Sequence, residues 1–202
     1  MKNLDMKKFK EMSPCKEGYE FVLNLKTTDL KIIFDALKEH NLEWSNWLIA
    51  RLLARKYRIR YAVFAAEQVL DIFEKSHPGD LRPRQAIEAA IMCIKKNTQD
   101  NRAAAYAAYA AASWTAASAA YAAAGAYAGA RAASWTAASA AYAADAAASW
   151  TAAYAASWAA AYAAYAAYAA AEAASAADAR QAMKAKIVNY GLQLLGVERI
   201  EK

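Results

Sequence analysis

From Asn101 to Arg180 the chain holds 48 alanines in 80 positions and no Leu, Ile, Val, Phe, Met, Cys, His, Pro, Lys or Gln. Alanine is the strongest helix former, and the block lacks the aliphatic β-branched runs that build strands, so helix is the expected conformation. As one unbroken helix it would extend about 120 Å, against about 40–45 Å for the diameter of a compact chain of this length. The block is therefore expected to fold back on itself. Proline is absent from it, which leaves Gly125–Gly129 and the neighbourhood of Asp145–Ser149 as the candidate breaks, since each glycine costs a helix about 1 kcal/mol.

Repetition supports that reading. ASWTAASAAYAA occupies Ala112–Ala123 and again Ala133–Ala144, and ASWTAAY returns at Ala148–Tyr154, at offsets of 21 and 15. From Ser139 to Asp178 a series of non-alanine residues, which leaves out Trp150, Thr151 and Ser157, recurs in 11 steps over 39 residues, about 3.55 apart, which places Tyr154, Trp158, Tyr162 and Tyr165 on one helical stripe. The remaining faces are almost pure methyl. Such faces let helix axes approach at the close end of the usual range of about 8–10 Å, and alanine loses no side-chain entropy on folding. The expectation is a layer of tightly packed antiparallel Ala-rich helices, in which enlarging an inward residue such as Ala160 to Leu costs about 1–3 kcal/mol.

The composition excludes several classes. Among 202 residues there are six Gly, three Pro, two Cys and a formal net charge of +6, which rules out collagen and disulfide scaffolds. Disorder is also excluded, because 19 Tyr and Trp accompany the alanines and the net charge is modest. Ala103–Ala130 and Ala146–Ala171 are long enough to span a bilayer, at about 20 residues per span. They lack the Leu, Ile, Phe and Val that drive insertion, however, and their aromatic residues run through the middle. No membrane association is expected. MKNLDMKKFKEM contains no apolar run of about 7–15 residues, so no secretory signal is expected. Cys15 and Cys93 then read as reduced, buried thiols of a cytoplasmic protein.

The first hundred residues carry the bulky side chains and read as five helices. Ser13-Pro14 has the chemistry of an N-cap and first helical residue for a helix ending at Thr27-Thr28. A second starts at Thr28 or Asp29 and runs to His40, with Leu30, Ile33, Phe34 and Leu37 inward. A third is predicted over Glu43–Tyr57, with Trp47, Leu48, Leu52 and Leu53 on one face. The fourth, Arg58–Glu74, turns Ile59, Val63, Ala66, Leu70 and Phe73 inward and stops at His77-Pro78-Gly79-Asp80. Arg82-Pro83 opens the fifth, whose core candidates are Ile87, Ile91 and Ile94, before Asn97–Asn101 breaks it.

Chemistry-bearing motifs are sparse. His40 and His77 fall at different helix ends, and no HExxH, CxxC or carboxylate cluster accompanies them. Catalytic, cofactor-binding and metal-binding residues are all expected to be none, and a Cys15–His40 pair is weaker than a buried structural cysteine. Arg51, Arg55, Lys56, Arg58 and Arg60 form a basic cluster, which fits a solvated helix face better than a nucleic-acid site. Asp80, Arg82 and Arg84 are candidate partner-binding residues. The competing reading has Asp80 capping the fifth helix and Arg84 pairing with Glu88 one turn on. Trp135, Trp150, Tyr154, Trp158, Tyr162 and Tyr165 are the other candidates, because interfaces favour rigid aromatic anchors, although Tyr and Trp at helical spacing are more often a packing seam. An ice-like crystal surface is a further reading of the same stripe, weakened because Thr115, Thr136 and Thr151 are unequally spaced.

FEKSHPGDLRPRQAIEAA at Phe73–Ala90, followed by a linker and long Ala-Ala-X repeats, resembles the immunity proteins of bacterial polymorphic toxin systems, in the family numbered five. SPCKEGYEFV at Ser13–Val22 is similar to an N-terminal signature of that family, and AKIVNYGLQLL at Ala185–Leu195 to its terminal helix. Where many members carry Cys-x-x-Gly-Asp-Trp before the third helix, this chain has His40-Asn41-Leu42-Glu43-Trp44. The resemblance implies a non-enzymatic cytoplasmic protein that binds a cognate toxin and blocks it. The overall expectation is one all-α domain over residues 1–202: five helices in 1–100, Ala-rich repeats in 101–180 and a terminal helix in 181–202. Its expected partner is a protein toxin held in a stoichiometric complex, with no cofactor, no membrane and no nucleic acid. A homo-oligomer is left open, and the alternative is a structural or surface-adsorbing Ala-rich protein.

Overall fold

The computed structural model describes residues 3–68, 70–107 and 176–197. The expected breaks at Gly125–Gly129 and Asp145–Ser149, Ala160, and the aromatic candidates Trp135, Trp150, Tyr154, Trp158, Tyr162 and Tyr165 all lie outside these residues. Within them the protein is all-α, and its polar caps explain most of the helix starts.

Asp5 caps α1 (Met6–Glu11), its carboxylate accepting from the amides of Lys7 and Lys8 at 3.0 and 3.1 Å. Just before it, Asn3 bridges Asp29, and the Leu4 amide donates to the Thr28 carbonyl at 2.7 Å. The start of the described chain is thereby tied to the turn between α2 (Lys16–Asn24) and α3 (Leu30–His40). Asp29 caps α3 as expected, accepting from Lys31 at 2.8 Å. The expected cap of α2 is displaced. Ser13 sits at φ +54°, outside the extended region an N-cap needs, and Cys15 caps the helix instead, its sulfur accepting from the Gly18 amide at 3.4 Å.

A second displacement concerns the middle of the chain. Instead of helices over Glu43–Tyr57 and Arg58–Glu74 there are three: α4 (Leu42–Leu52), α5 (Arg55–Glu67) and α6 (Leu70–Ser76). The first break carries neither glycine nor proline. Leu53 turns extended at ψ 135° with its side chain buried, and its carbonyl accepts from Arg58 Nε at 2.6 Å. A buried charged donor satisfies the carbonyl that the helix end exposes, which helix propensity does not register. The turn at His77–Asp80 is where it was expected, and α7 (Arg82–Lys95) follows with Pro83 in its first turn. Thr98 then starts a helix, α8, described over 99–107, its hydroxyl accepting from the Asn101 amide at 3.2 Å.

The expected terminal helix is present as α9 (Ala176–Leu195). It ends at Gly196, φ +70°, where the amides of Gly196 and Val197 donate to the carbonyls of Gln193 and Leu192, both at 3.0 Å. That is the Schellman closure, whose left-handed residue is cheapest as glycine. α9 packs on α4 and α5, α5 on α7, and α3 on α4. Ile59, Val63, Ala66, Leu70, Phe73 and Ile87 are buried as expected, whereas Ile91 and Ile94 are half-buried at the core's edge.

α5 packs on α7, and Ala62, Ala65 and Ala66 of the one and Ala86 and Ala90 of the other are all buried. One contact is closer than ordinary aliphatic packing allows. In α9, a Cβ on Gly191 would stand 2.6 Å from Ile49 Cγ2 and 2.8 Å from Tyr61 Cε2. Only a bare backbone lets α9 settle into the angle between α4 and α5. Among the described residues no helix is long and apolar enough to cross a membrane.

Candidate functional site

The two N-terminal segments singled out in the sequence, 13–22 and 40–44, meet in space. Cys15 and Gly18 of α2 stand against Trp44 and Trp47 of α4, with Phe9 of α1 behind them, and together they line a half-open cleft of about 320 Å³. A Cβ on Gly18 would lie 3.1 Å from the Cys15 sulfur and 3.6 Å from Trp44 Cδ2, so the indole rests on nearly bare backbone. Asn41 orients this wall. Its side chain caps α4 by accepting from the amides of Glu43 and Trp44 at 2.9 and 3.2 Å, which fixes the helix start and the direction of both tryptophans.

Aromatic rings build the walls. Phe9 stacks with Tyr19 at 5.7 Å between centroids and meets Trp47 edge-on at 6.3 Å. On the other side Phe21 stacks on His40 at 4.5 Å, and both approach Trp44, at 5.8 and 5.2 Å. The Arg51 guanidinium lies 3.9 Å from the centre of the Trp47 ring. Burial pulls the Arg51 guanidinium down to about 10, and the face of the indole returns part of the lost hydration by cation–π attraction. Glu43 stands at the rim, paired with Lys184 of α9 at 2.7 Å.

The histidine and cysteine readings are thereby sorted. Cys15 is exposed, not buried, because as the cap of α2 its sulfur faces the cleft mouth; Cys93 is buried, its thiol donating to the Asn101 carbonyl at 3.3 Å. His40 stacks on Phe21, and the Cys15 sulfur accepts from Gly18. Among the described residues no group of three His, Cys, Asp or Glu side chains gathers to hold a metal.

Asp80, Arg82 and Arg84 come together at the turn between α6 and α7, 80 and 82 in one ion pair and 84 in another. Asp80 accepts from Arg82 Nε and Nη2 at 2.9 and 2.6 Å and from the Arg82 amide at 3.1 Å. The cap position expected of Asp80 falls instead on Leu81, which makes no side-chain cap bond, and Asp80 stands one residue before it. Arg82 is the main cause that holds its carboxyl below the usual range. Arg84 makes two bonds to Glu74, at 2.8 and 2.7 Å, instead of the expected pair with Glu88. The HPGD turn brings Glu74 of α6 within reach of Arg84 in α7, a contact across ten residues that helical spacing does not indicate. The basic cluster is not a solvated face throughout. Arg58 is buried and Arg51 half-buried, while Lys56 and Arg60 are exposed.

Phe9, Tyr19, Trp44 and Trp47 were not among the candidate binding residues. The available signal was the density of aromatic residues in Phe9–Trp47 beside the Ser13–Val22 segment. No family model matches this chain, and neither a curated protein nor a solved structure matches it.

Proposed function

We propose that this chain is a protein-binding inhibitor without catalytic activity of its own, an immunity protein that neutralises a cognate bacterial toxin by stoichiometric complex formation. The observation that carries this reading is the convergence on one aromatic cleft of Ser13–Val22, which is similar to the family's N-terminal signature, and Glu43–Trp44, where the chain departs from the family's pattern. Rigid indole and phenyl rings beside a half-open hollow are the composition of interface anchors, which give large contact area at little entropic cost. In this reading Arg84 acts chiefly in tying α7 to Glu74 of α6, and Asp80 and Arg82 in shaping the turn between the two helices, since all three groups are engaged within the chain. The complex masks the toxin's active site or an adjoining surface, inside the cytoplasm.

Co-expression tests it. A toxin domain encoded beside this gene is expected to arrest growth alone, to be tolerated when this protein is co-expressed, and to copurify with it. If no neighbouring product is toxic and none copurifies, the proposal is wrong.

A further inference from the structure

We infer that α2 is a hinged wall of the cleft: it undocks from α4 about Ser13 and Lys26, as a unit and with the rest of the fold intact, and so opens the hollow beyond its resting width. Ser13 sits at φ +54° and Lys26 at φ +50°, in the left-handed region that a Cβ makes costly. Ser13 is doubly out of place, because the proline after it favours an extended residue there. Among the described residues no other non-glycine residue has a positive φ, and these two stand one on each side of α2. Such conformations persist only where the surroundings hold them, and they relax when the surroundings let go.

What holds α2 down is apolar. Gly18 and Val22 are its buried residues, and Leu23 is exposed. Gly18 meets Trp44 through nearly bare backbone, and Tyr19 and Phe21 stack on Phe9 and His40. Among the described residues no hydrogen bond or ion pair joins residues 16–24 to another helix. The flanking segments are held differently. Leu4 and Phe9 are buried, and the Leu4 amide bonds the Thr28 carbonyl beside the Asn3–Asp29 bridge. This clamp pins the chain before α1 to the chain after Lys26, with both hinges inside it, so α1 and α3 stay in place when α2 leaves. The departure parts ring and methyl contacts, gives up no polar partner and leaves the core of α4, α5 and α9 undisturbed, so it takes less free energy than global unfolding. The docked form is the resting state and the open form a minor one. Because α2 and the residues leading into it supply Pro14, Cys15, Gly18 and Val22 of the wall, opening uncovers the Trp44 side of the cleft.

Native-state hydrogen exchange on the full chain, labelled with ¹⁵N, in urea below the unfolding transition tests this. Away from α4 a nine-residue helix is too short to stay formed, so undocking lets its amides exchange. The amides of Val22 and Leu23 are expected to be at least about tenfold less protected than those of Ile49, Ala62 and Leu192, with a weaker dependence on urea, and the Leu4 amide is expected to outlast them. Ile59→Val is expected to speed exchange in the core about fivefold and to leave α2 unchanged, because Ile59 stays packed in the open form. Ser13→Gly combined with Lys26→Gly relieves the docked state of both costly conformations, which the open and the unfolded chain alike have lost. Exchange is therefore expected to slow about fivefold in α2 and in the core together. Exchange of α2 in one step with the core, loss of the Leu4 amide along with α2, acceleration of α2 by Ile59→Val, or glycine variants that slow the core alone or nothing would each overturn the inference. The measurement involves no partner, so its outcome is independent of the inhibitor reading.

Discussion

Tyr61 lies fully buried where α4, α5 and α9 meet, and its hydroxyl donates to Asn46 Oδ1 at 2.8 Å. Burial pushes the phenol above its ordinary range, so it remains a donor at every physiological pH. Tyr61→Phe is expected to cost about 1–2 kcal/mol, read as a lower urea midpoint, because Asn46 Oδ1 loses a buried donor. Asp80 carries a pH dependence of opposite location. Its carboxyl is held below the usual range by Arg82, so its contribution is full above about pH 5 and is lost as the pH falls through the depressed folded-state value. Asp80→Asn is expected to cost about 1 kcal/mol at pH 7, kept small by the 41% exposure of Arg82, and progressively less on acidification. Thermal melts of both proteins from pH 7 to pH 2 check this; a gap that widens on acidification would contradict it. Ile59, Val63 and Phe73 were legible from spacing alone, because they repeat at helical intervals. The inward Tyr61 and Arg58 were not, since each is buried only by virtue of a partner, Asn46 or the Leu53 carbonyl, that the local sequence does not reveal.

Among elements, those announced by local chemistry lie where the sequence placed them. Asp29 starts α3, the HPGD turn ends α6 and Pro83 opens α7. The division of the expected Glu43–Tyr57 helix at Leu53 had no local breaker, and a tertiary bond from Arg58 decided it. The same limit hid the cleft. Phe9, Cys15 and Trp47 sit on three helices, and only the packing of α1 and α2 against α4 brings them to one hollow. Close approach is the property on which α9 depends. Gly191→Ala places a methyl inside the radii of Ile49 and Tyr61, atoms of a packed core with little room to shift. A loss of about 1–3 kcal/mol is expected, checked by equilibrium denaturation; an unchanged midpoint would show that α9 is not seated between α4 and α5.

For the whole molecule, the first hundred residues and the terminal helix form one packed body, since α9 contributes Ile187, Val188 and Leu192 to the same core as Ile49 and Tyr61. The cleft opens on the side of that body formed by α1, α2 and α4, with Lys184 of α9 at its rim. In the proposed complex, a surface built on α1, α2 and α4 is set before the partner arrives, which lowers the entropic cost of association. The excess of six positive charges gives the chain a mild preference for an acidic partner surface. The account centres on inhibition by occupancy, one inhibitor per toxin. Titrating this protein into a fixed, micromolar amount of the toxin domain encoded beside it, while following that domain's activity, is the most direct measurement. The account predicts a linear fall to zero at one equivalent, and a toxin that keeps full activity at several equivalents would contradict it.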